Sequence, residues 1–253
     1  MKLGDEVTVS IGRYGDLFFN DGAHRLTVAK LLDVQKIPVK VSVRHPEWMK
    51  FRKELLLYAK EQGGQTYQPA VHPDLNDLPT VHDDCEYRLI TIKNNMSAKR
   101  GCLLDIGANF GYFCHKFEDE GFDCYAAENS LRDLYFLRKL KRAENKKFHI
   151  ITESVLESQK IRNTYFDVIL ALNIFHHFTK TKKCHDKFIN LLKELRTEEL
   201  FFEPCLPDEP PMKGAYKNYT PDEFVKLILK VSRLKKAKFI GEANEGRRIY
   251  KLY

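Results

Sequence analysis

The sequence predicts an α/β fold in which a mostly parallel sheet carries helices on both faces, preceded by a small α+β unit. Three observations predict it. Short apolar runs recur from position 102 onward, and such runs are typical of strands that are buried on both faces. Amphipathic segments of helical length alternate with these runs. A glycine-containing turn follows the first run, where a strand passes sharply into a helix.

Composition indicates a globular protein without a membrane span or a secretion signal. The chain has 253 residues, 43% of them hydrophobic, and its apolar runs are short. The first ten residues contain no apolar signal core. None of the six cysteines forms a C-x-x-C pair or a metal-ligand spacing. We therefore expect a cytoplasmic protein with reduced thiols and no metal site.

The net charge of +7 raises the question of nucleic-acid binding. Basic clusters occur at residues 138–142, 146–147, 180–183 and 233–238. They form either a nucleic-acid surface or solvated helix and loop faces. Acidic residues lie near most of the clusters and few aromatic residues are interleaved, which favours the solvated faces.

The first part of the chain, residues 1–62, is predicted as a separate unit. Residues 7–11 alternate in polarity and residues 17–19 return after a glycine turn, which predicts a β-hairpin. Apolar positions in residues 24–32 indicate a short helix facing a core. Residues 37–43 then predict a strand.

Within this unit, Asp21-Gly-Ala-His-Arg25 followed by I-P-V-K-V resembles the phosphate-binding core of the ParB/sulfiredoxin superfamily. Sulfiredoxins have a catalytic cysteine just before His-Arg, where this chain has Ala23, so peroxiredoxin repair is not expected. The resemblance implies either a relic scaffold or retained binding of a phosphate or nucleotide by Gly22, His24 and Arg25.

A helix over residues 49–61 ends at a glycine pair, and residues 63–84 form a proline-rich irregular connector. The connector contains His72 and His82, but their spacing is too loose to predict a metal site. It could instead close over a substrate. The remaining residues, 85–253, are predicted to form the main domain, in which residues 88–92 are a short strand or helix.

Residues 101–130 organise that domain. A strand over residues 102–106 leads into a turn with Gly107 and Gly111, where the missing Cβ atoms let a ligand approach the backbone. A helix follows, and its first N–H groups can bind an anion. A second strand, 124–127, ends at Glu128, about 20 residues after the first glycine. A carboxylate at this place can bind a ribose diol.

The sequence D-I-G-A-N-x-G-x-F followed by A-x-E-N resembles motifs I and II of the class I S-adenosylmethionine (SAM) methyltransferases. The resemblance implies a seven-stranded Rossmann-like sheet whose last two strands are antiparallel. It implies SAM as the cofactor, with Asp105 near its methionine end and Glu128 on its ribose. The other residues implied to bind SAM are Gly107, Asn109, Gly111, Asn129 and Asn173.

Two further strands end in polar residues. Residues 148–151 end before Glu153, which the resemblance assigns to the adenine amine, although an acid at a helix start would look the same. Residues 166–172 run into Asn173, His176 and His177. The [D/N/S]-P-P-[Y/F] tetrad of amino-methylating enzymes is absent. Either histidine could deprotonate a hydroxyl, or one could pack beside the cofactor.

The last third predicts a substrate-facing edge. A strand over residues 199–202 ends at Glu203, which could assist catalysis or bind a hydroxyl. The loop of residues 206–219 could cover a substrate through Lys213, Tyr216 and Tyr219. Helices are predicted over residues 131–142, 184–195 and 224–231, the last capped by Thr220. Residues 238–241 and 248–252 predict the final strand pair.

These features favour a SAM-dependent methyltransferase acting on a hydroxyl of a sugar, a glycan or another small polar molecule. An RNA or DNA methyltransferase that uses the basic surface is the first alternative. A regulatory protein that binds SAM or a nucleotide without turnover is the second. The acceptor, the methylated atom and the oligomeric state stay open.

Overall fold

The computed structural model describes residues 6–253, which contain two sheets and eight α-helices. The strands are β1 (Val7–Ile11), β2 (Leu17–Asp21), β3 (Val39–Arg44), β4 (Cys102–Ile106), β5 (Asp123–Ala127), β6 (His149–Ile151), β7 (Tyr165–Leu172), β8 (Arg196–Glu203), β9 (Ala237–Glu242) and β10 (Arg248–Leu252). The helices are α1 (Ala23–Leu31), α2 (Pro46–Glu61), α3 (Cys85–Asn95), α4 (Tyr112–Asp119), α5 (Leu131–Ala143), α6 (Gln159–Asn163), α7 (Lys182–Glu194) and α8 (Pro221–Val231). Short 3-10 turns join several of them.

The large sheet has the strand order β6-β5-β4-β7-β8-β10-β9. Strands β4 to β8 are mutually parallel, whereas β10 is antiparallel to both of its neighbours. The predicted seven strands and antiparallel last pair are therefore confirmed. After β4, the chain forms β5 and β6 on one side of that strand and then crosses over to form β7 on its other side. This reversal opens a crevice at the carboxyl ends of β4 and β7, where ligands bind in open α/β sheets.

The central strands are apolar because helices cover both faces of the sheet. In β7, residues 168–171 are completely buried. One core cluster lies between the sheet and α7 and α8, and the other lies between the sheet and α3, α4 and α5. Residues 88–92 belong to α3, so the helical alternative is the correct one. Helix α8 begins as predicted, with Thr220 and Glu223 forming a capping box.

The N-terminal sheet has the order β2-β1-β3, with β2 antiparallel and β3 parallel to β1. The predicted hairpin, helix and strand are thus present. The prediction that the helix faces a core is wrong, because α1 has no buried residue and Leu31 is 81% exposed. The neighbouring strands β2 and β3 are themselves largely exposed, so α1 is not enclosed between packed elements.

Helix α2 fixes this N-terminal unit to the large sheet. Its buried face, which includes Trp48 and Leu55, packs with Phe110 of the glycine turn and with Phe136 of α5. The connector joins the same cluster through Leu75. Packing is therefore continuous from residue 46 into the main domain, and the division at residues 62 and 84 stays a prediction.

His72 of the connector forms hydrogen bonds with backbone groups of two segments. The Nε2 atom of His72 is 2.9 Å from the carbonyl oxygen of Gly15, and its Nδ1 accepts from the backbone N–H of Asp74. Across residues 6–253, no cluster of three or more His, Cys, Asp or Glu side chains is arranged to hold a metal ion. No helix in this range has the length and apolarity to cross a membrane.

Substitutions at two adjacent leucines, Leu55 and Leu56, test the orientation of α2. Leu55 is fully buried in the cluster with Phe110, whereas Leu56 is 45% exposed. We expect Leu55→Ala to lower the free energy of unfolding by about 2–5 kcal/mol, because it leaves a cavity. The matched control Leu56→Ala should change it by less than about 0.5 kcal/mol. Urea denaturation measures both; equal losses would contradict the described orientation of α2.

Candidate functional site

A cavity of about 660 Å³ opens at the carboxyl ends of β4, β5 and β7. Its walls come from the glycine turn after β4, the loop after β5, the segment after β6 and the turn after β7. Helix α2 and the connector contribute Tyr58 and Tyr67 from the other side. Most of the residues predicted to bind a cofactor therefore face one space.

The turn from β4 into α4 contains three residues with positive φ. Gly107 has a φ of +76°, and a Cβ atom there would lie 2.7 Å from Cδ1 of Ile174. Gly111, at a φ of +79°, precedes the first residue of α4. Asn109 between them also has a positive φ, which asparagine tolerates better than most residues. The backbone thus enters α4 in a tight loop whose first residues line the cavity.

Glu128 joins this turn to the loop after β5. One carboxylate oxygen accepts from the backbone N–H of Asn109 at 3.0 Å, and the other accepts from those of Asn129 and Ser130 at 2.8 Å. The side chain is half-buried in the cavity wall. Because a carboxylate has about four acceptor positions, one remains for a ligand hydroxyl.

Asp105 lies at the end of β4 beneath the cavity wall, and its side chain is 2% exposed. Its Oδ2 has no hydrogen-bond partner in the described structure. Burial, together with the charge of Glu128, raises the pKa of Asp105 to about 7. The side-chain oxygens of Asn109 and Asn173 are also buried without a partner. Such unsatisfied acceptors fit a ligand that carries a cationic amine and hydroxyls.

Glu153 and Asn173 occupy opposite sides of the cavity. Glu153 is exposed and accepts a hydrogen bond from the Ser158 hydroxyl at 2.6 Å, which leaves its second oxygen open. Asn173 has a φ of +53°, and its amide nitrogen donates to the Tyr67 hydroxyl at 3.2 Å. The structure therefore brings the β6 and β7 candidates to the same cavity as Glu128.

The two histidines after β7, His176 and His177, differ in their access to the cavity. His177 lines the cavity, whereas His176 is 5% exposed, lies outside the wall and has an Nδ1 without a partner. Their ring centroids are 4.1 Å apart. Burial lowers the pKa of His176 to about 3, and the neighbouring His177 adds to the effect. Burial also lowers the pKa of His177, with a further contribution from Lys180, although its outer edge is exposed at the cavity.

Glu203 is fully buried and does not line the cavity. Its two oxygens accept from Arg88 at 2.7 and 2.8 Å, and Arg88 also donates to Asp84 at 2.7 Å. Burial raises the pKa of Glu203, while Arg88 opposes that shift. A carboxylate held in this way is a structural counterion, since removing either partner would leave a buried charge. We therefore leave Glu203 out of the proposed catalytic groups.

The loop of residues 206–219 is fastened beside the cavity. The backbone N–H of Tyr216 donates to the carbonyl of Lys180 at 3.0 Å. The Tyr219 hydroxyl is 2.8 Å from Nε2 of His185. Neither tyrosine lines the cavity, and nor does Lys213. A substrate role for these three residues stays a prediction.

Gly22, His24 and Arg25 lie at the start of α1, away from the cavity wall. Gly22 has a φ of +99°, which fits the sharp entry into the helix. His24 and Arg25 are exposed. Phosphate binding at this turn stays a prediction.

Sequence reasoning missed two tyrosines of the cavity. Tyr58 lies on the buried face of α2, and Tyr67 lies in the irregular connector. Burial raises the pKa of Tyr58 to about 12, with the charge of Asp133 adding to it. Burial raises the pKa of Tyr67 as well. The only sequence feature that pointed to one of them, Tyr67, was the expectation that the connector could close over a substrate.

Comparison with known proteins identifies the fold. Residues 104–195, less than half of the chain, match the family model described as "Methyltransferase domain". The crystal structure of monomeric WbdD matches with a TM-score of 0.60 and 21% identity, over 78% of this chain and 48% of that chain. A putative O-methyltransferase from Nostoc punctiforme matches with a TM-score of 0.54 and 15% identity, over 81% and 68%. No curated protein sequence matches significantly.

A second WbdD structure, titled as a bifunctional kinase-methyltransferase, matches with a TM-score of 0.62 and 19% identity, over 78% of this chain and 45% of that chain. The present chain thus spans about half the length of the WbdD chains. At these identities the likeness shows the fold, a Rossmann-like methyltransferase sheet. Together with the family model, it supports a class I methyltransferase domain built around residues 104–195. The N-terminal likeness to ParB and sulfiredoxin stays a prediction.

The raised pKa of Asp105 predicts a specific pH dependence of stability. Between its unfolded pKa near 4 and its folded pKa of about 7, only the folded state holds the proton, so stability falls as the pH rises through this window. Asp105→Asn removes that fall. Its free energy of unfolding should gain on the wild type between pH 5 and pH 8, by no more than ~3 kcal/mol.

Urea denaturation of both proteins at the two pH values measures this gain. Asp208→Asn, at an exposed carboxylate, is the matched control and should show a difference that does not vary with pH. A pH-independent difference for Asp105→Asn would contradict the protonated state of the buried carboxyl.

Proposed function

We propose that the protein is a SAM-dependent methyltransferase that acts on a hydroxyl oxygen. The cavity at the carboxyl ends of β4, β5 and β7 carries this proposal, because its polar groups match the separate parts of SAM. Glu128 would accept from a ribose hydroxyl and Glu153 from the adenine amine. The unpartnered oxygens of Asn109 and Asn173 suit the cationic end, and Asp105 is buried outside the cavity wall. Gly107 lines the cavity as well, whereas Gly111 shapes the entry into α4.

Bound SAM supplies an electrophilic methyl group on a sulfonium, so the protein's main contribution is alignment. The resemblance to class I methyltransferases implies that the residues after β7 would face the methyl group and its acceptor. Asn173 is held by the backbone N–H bond to the carbonyl of Glu203 and by its side-chain bond to Tyr67. His177 lines the same wall.

His177 is the group best suited to take a proton from the acceptor. Because its pKa is lowered, the imidazole is neutral at pH 7 and can accept a proton. His176 is buried behind it and lacks access to the cavity. A neutral base beside the cavity and the missing amine tetrad favour a hydroxyl acceptor, such as that of a sugar, a glycan or another small polar molecule.

The proposal is tested by supplying methyl-labelled SAM with a panel of glycans, small polyols, RNA, DNA and proteins. Label transfer to a hydroxylated glycan or small molecule supports the proposal, and carbon NMR of the labelled methyl then identifies the bonded atom. Transfer only to RNA or DNA would favour the nucleic-acid alternative. SAM binding without transfer to any member would favour a regulatory role.

Glu128 should dominate the affinity for SAM. Glu128→Gln keeps the shape of the side chain but removes its charge and one acceptor oxygen. We expect the dissociation constant for SAM to rise about tenfold or more, because hydrogen bonds to a charged group are worth about 1.5–3 kcal/mol. Isothermal titration calorimetry measures this change, with Glu120→Gln at the exposed end of α4 as control. Unchanged affinity in Glu128→Gln, or no heat with the wild type, would refute SAM binding at this cavity.

We expect His177 to act in proton transfer and His176 to contribute to stability. With an acceptor from the panel, His177→Gln should lower kcat about 100-fold or more, because the proton acceptor is lost. His176→Gln should affect mainly stability. In the wild type, the acid limb of the pH profile of kcat/KM should have a midpoint below 6.5, since burial lowers the pKa of His177. A normal profile in His177→Gln would show that no base is needed there.

A further inference from the structure

The opposite edge of the large sheet, where β7 and β8 begin, has two adjoining hollows that are separate from the methyl-transfer cavity. Their volumes are about 460 and 380 Å³. The side chains of Arg196 and Arg233 line both and form the wall between them. Arg196 is the first residue of β8, and Arg233 follows α8. The two arginines are therefore held side by side by different elements of the fold.

Both hollows are positively charged. Beyond the two shared arginines, their cationic residues are Arg162, Lys193, Lys235 and Lys236. Arg162 forms an ion pair with Glu194. Within residues 6–253, the other five cationic side chains are exposed and form no ion pair. The remaining acid, Glu198, accepts from the Tyr165 hydroxyl at 2.8 Å. The positive charge that faces the hollows is therefore largely uncompensated.

Two aromatic rings flank the larger hollow. Tyr165 and Tyr253 are 47% and 44% exposed and lie at the edge of the sheet. The bond to Glu198 fixes the ring of Tyr165. Tyr253 is fixed through its backbone, which donates to the carbonyl of Lys236 at 2.9 Å and accepts from its N–H at 2.8 Å. The exposed rings offer flat faces for stacking.

We propose that these hollows bind single-stranded nucleic acid and accept about two nucleotides. Each hollow has the size of a small-ligand pocket, and their shared wall carries two guanidinium groups suited to a bridging phosphate. The tyrosines offer stacking surfaces for a base, and the lysines add attraction to neighbouring phosphates. An acidic peptide would use the cations but would gain nothing from the rings. A membrane surface would not fit a concave site.

This site is independent of the methyl-transfer cavity. The eight residues of β7 separate the two edges of the sheet by roughly 25 Å. A nucleic acid bound here would reach the cavity only through several further nucleotides. The site therefore acts as a docking surface, and its occupancy does not depend on whether the protein transfers a methyl group.

Fluorescence anisotropy with labelled RNA and DNA single strands of about eight nucleotides, without SAM, tests the site. We expect Arg196→Ala combined with Arg233→Ala to weaken binding at least tenfold. The plot of log affinity against log salt concentration should become shallower by about 0.7, because the contact with the bridging phosphate is lost. The control combines Lys50→Ala with Lys53→Ala, which removes the same charge from the exposed side of α2. Circular dichroism confirms folding of each variant.

An aromatic variant separates nucleic acid from other polyanions. Tyr253→Leu should weaken oligonucleotide binding about threefold to tenfold and leave the binding of polyglutamate unchanged. The proposal is overturned if the wild type does not bind the oligonucleotide at low salt, or if the two double variants weaken binding equally. Equal effects of Tyr253→Leu on both polymers would also overturn it. Glu128→Gln should bind the oligonucleotide like the wild type, so failure of SAM binding and failure of this site can be told apart.

Discussion

The carboxylate of Glu128 is the interaction on which the cavity depends. It holds the turn after β4 and the loop after β5 together through three backbone N–H groups. Those N–H groups are the kind that a helix or turn leaves without a partner at its start. A single acid at the end of β5 therefore satisfies them and also points into the cavity. The local structure and the proposed ribose contact are inseparable, because the same side chain provides both.

The carboxylates of the site differ because their surroundings differ. Glu128 is half-buried and accepts three hydrogen bonds, whereas Asp105 is fully buried and has one oxygen without a partner. Burial raises the pKa of Asp105 to about 7, so ionisation of this carboxyl at alkaline pH carries a desolvation cost. A nearby cation would lower that cost. The buried carboxyl is therefore compatible with the proposed positively charged ligand.

Sequence patterns were sufficient for the parts of the fold that burial determines. The strands of the large sheet are apolar because helices cover both faces, and the glycine turn and Glu128 follow a motif whose spacing is local. The patterns failed where the outcome depends on distant contacts. The apolar positions of α1 suggested a buried face, but no neighbour covers it. Glu203 stands at the expected sheet edge, yet Arg88, 115 residues away in sequence, holds it.

The two edges of the large sheet differ in the charge of the side chains that line their cavities. At the carboxyl edge, the acids and neutral imidazoles suit a cationic ligand and a proton transfer. At the amino edge, five cations without carboxylate partners surround two hollows. The length of β7, roughly 25 Å, keeps the edges apart by more than a Debye length, about 10 Å at 0.1 M salt. The charge at one edge therefore has little influence on the other.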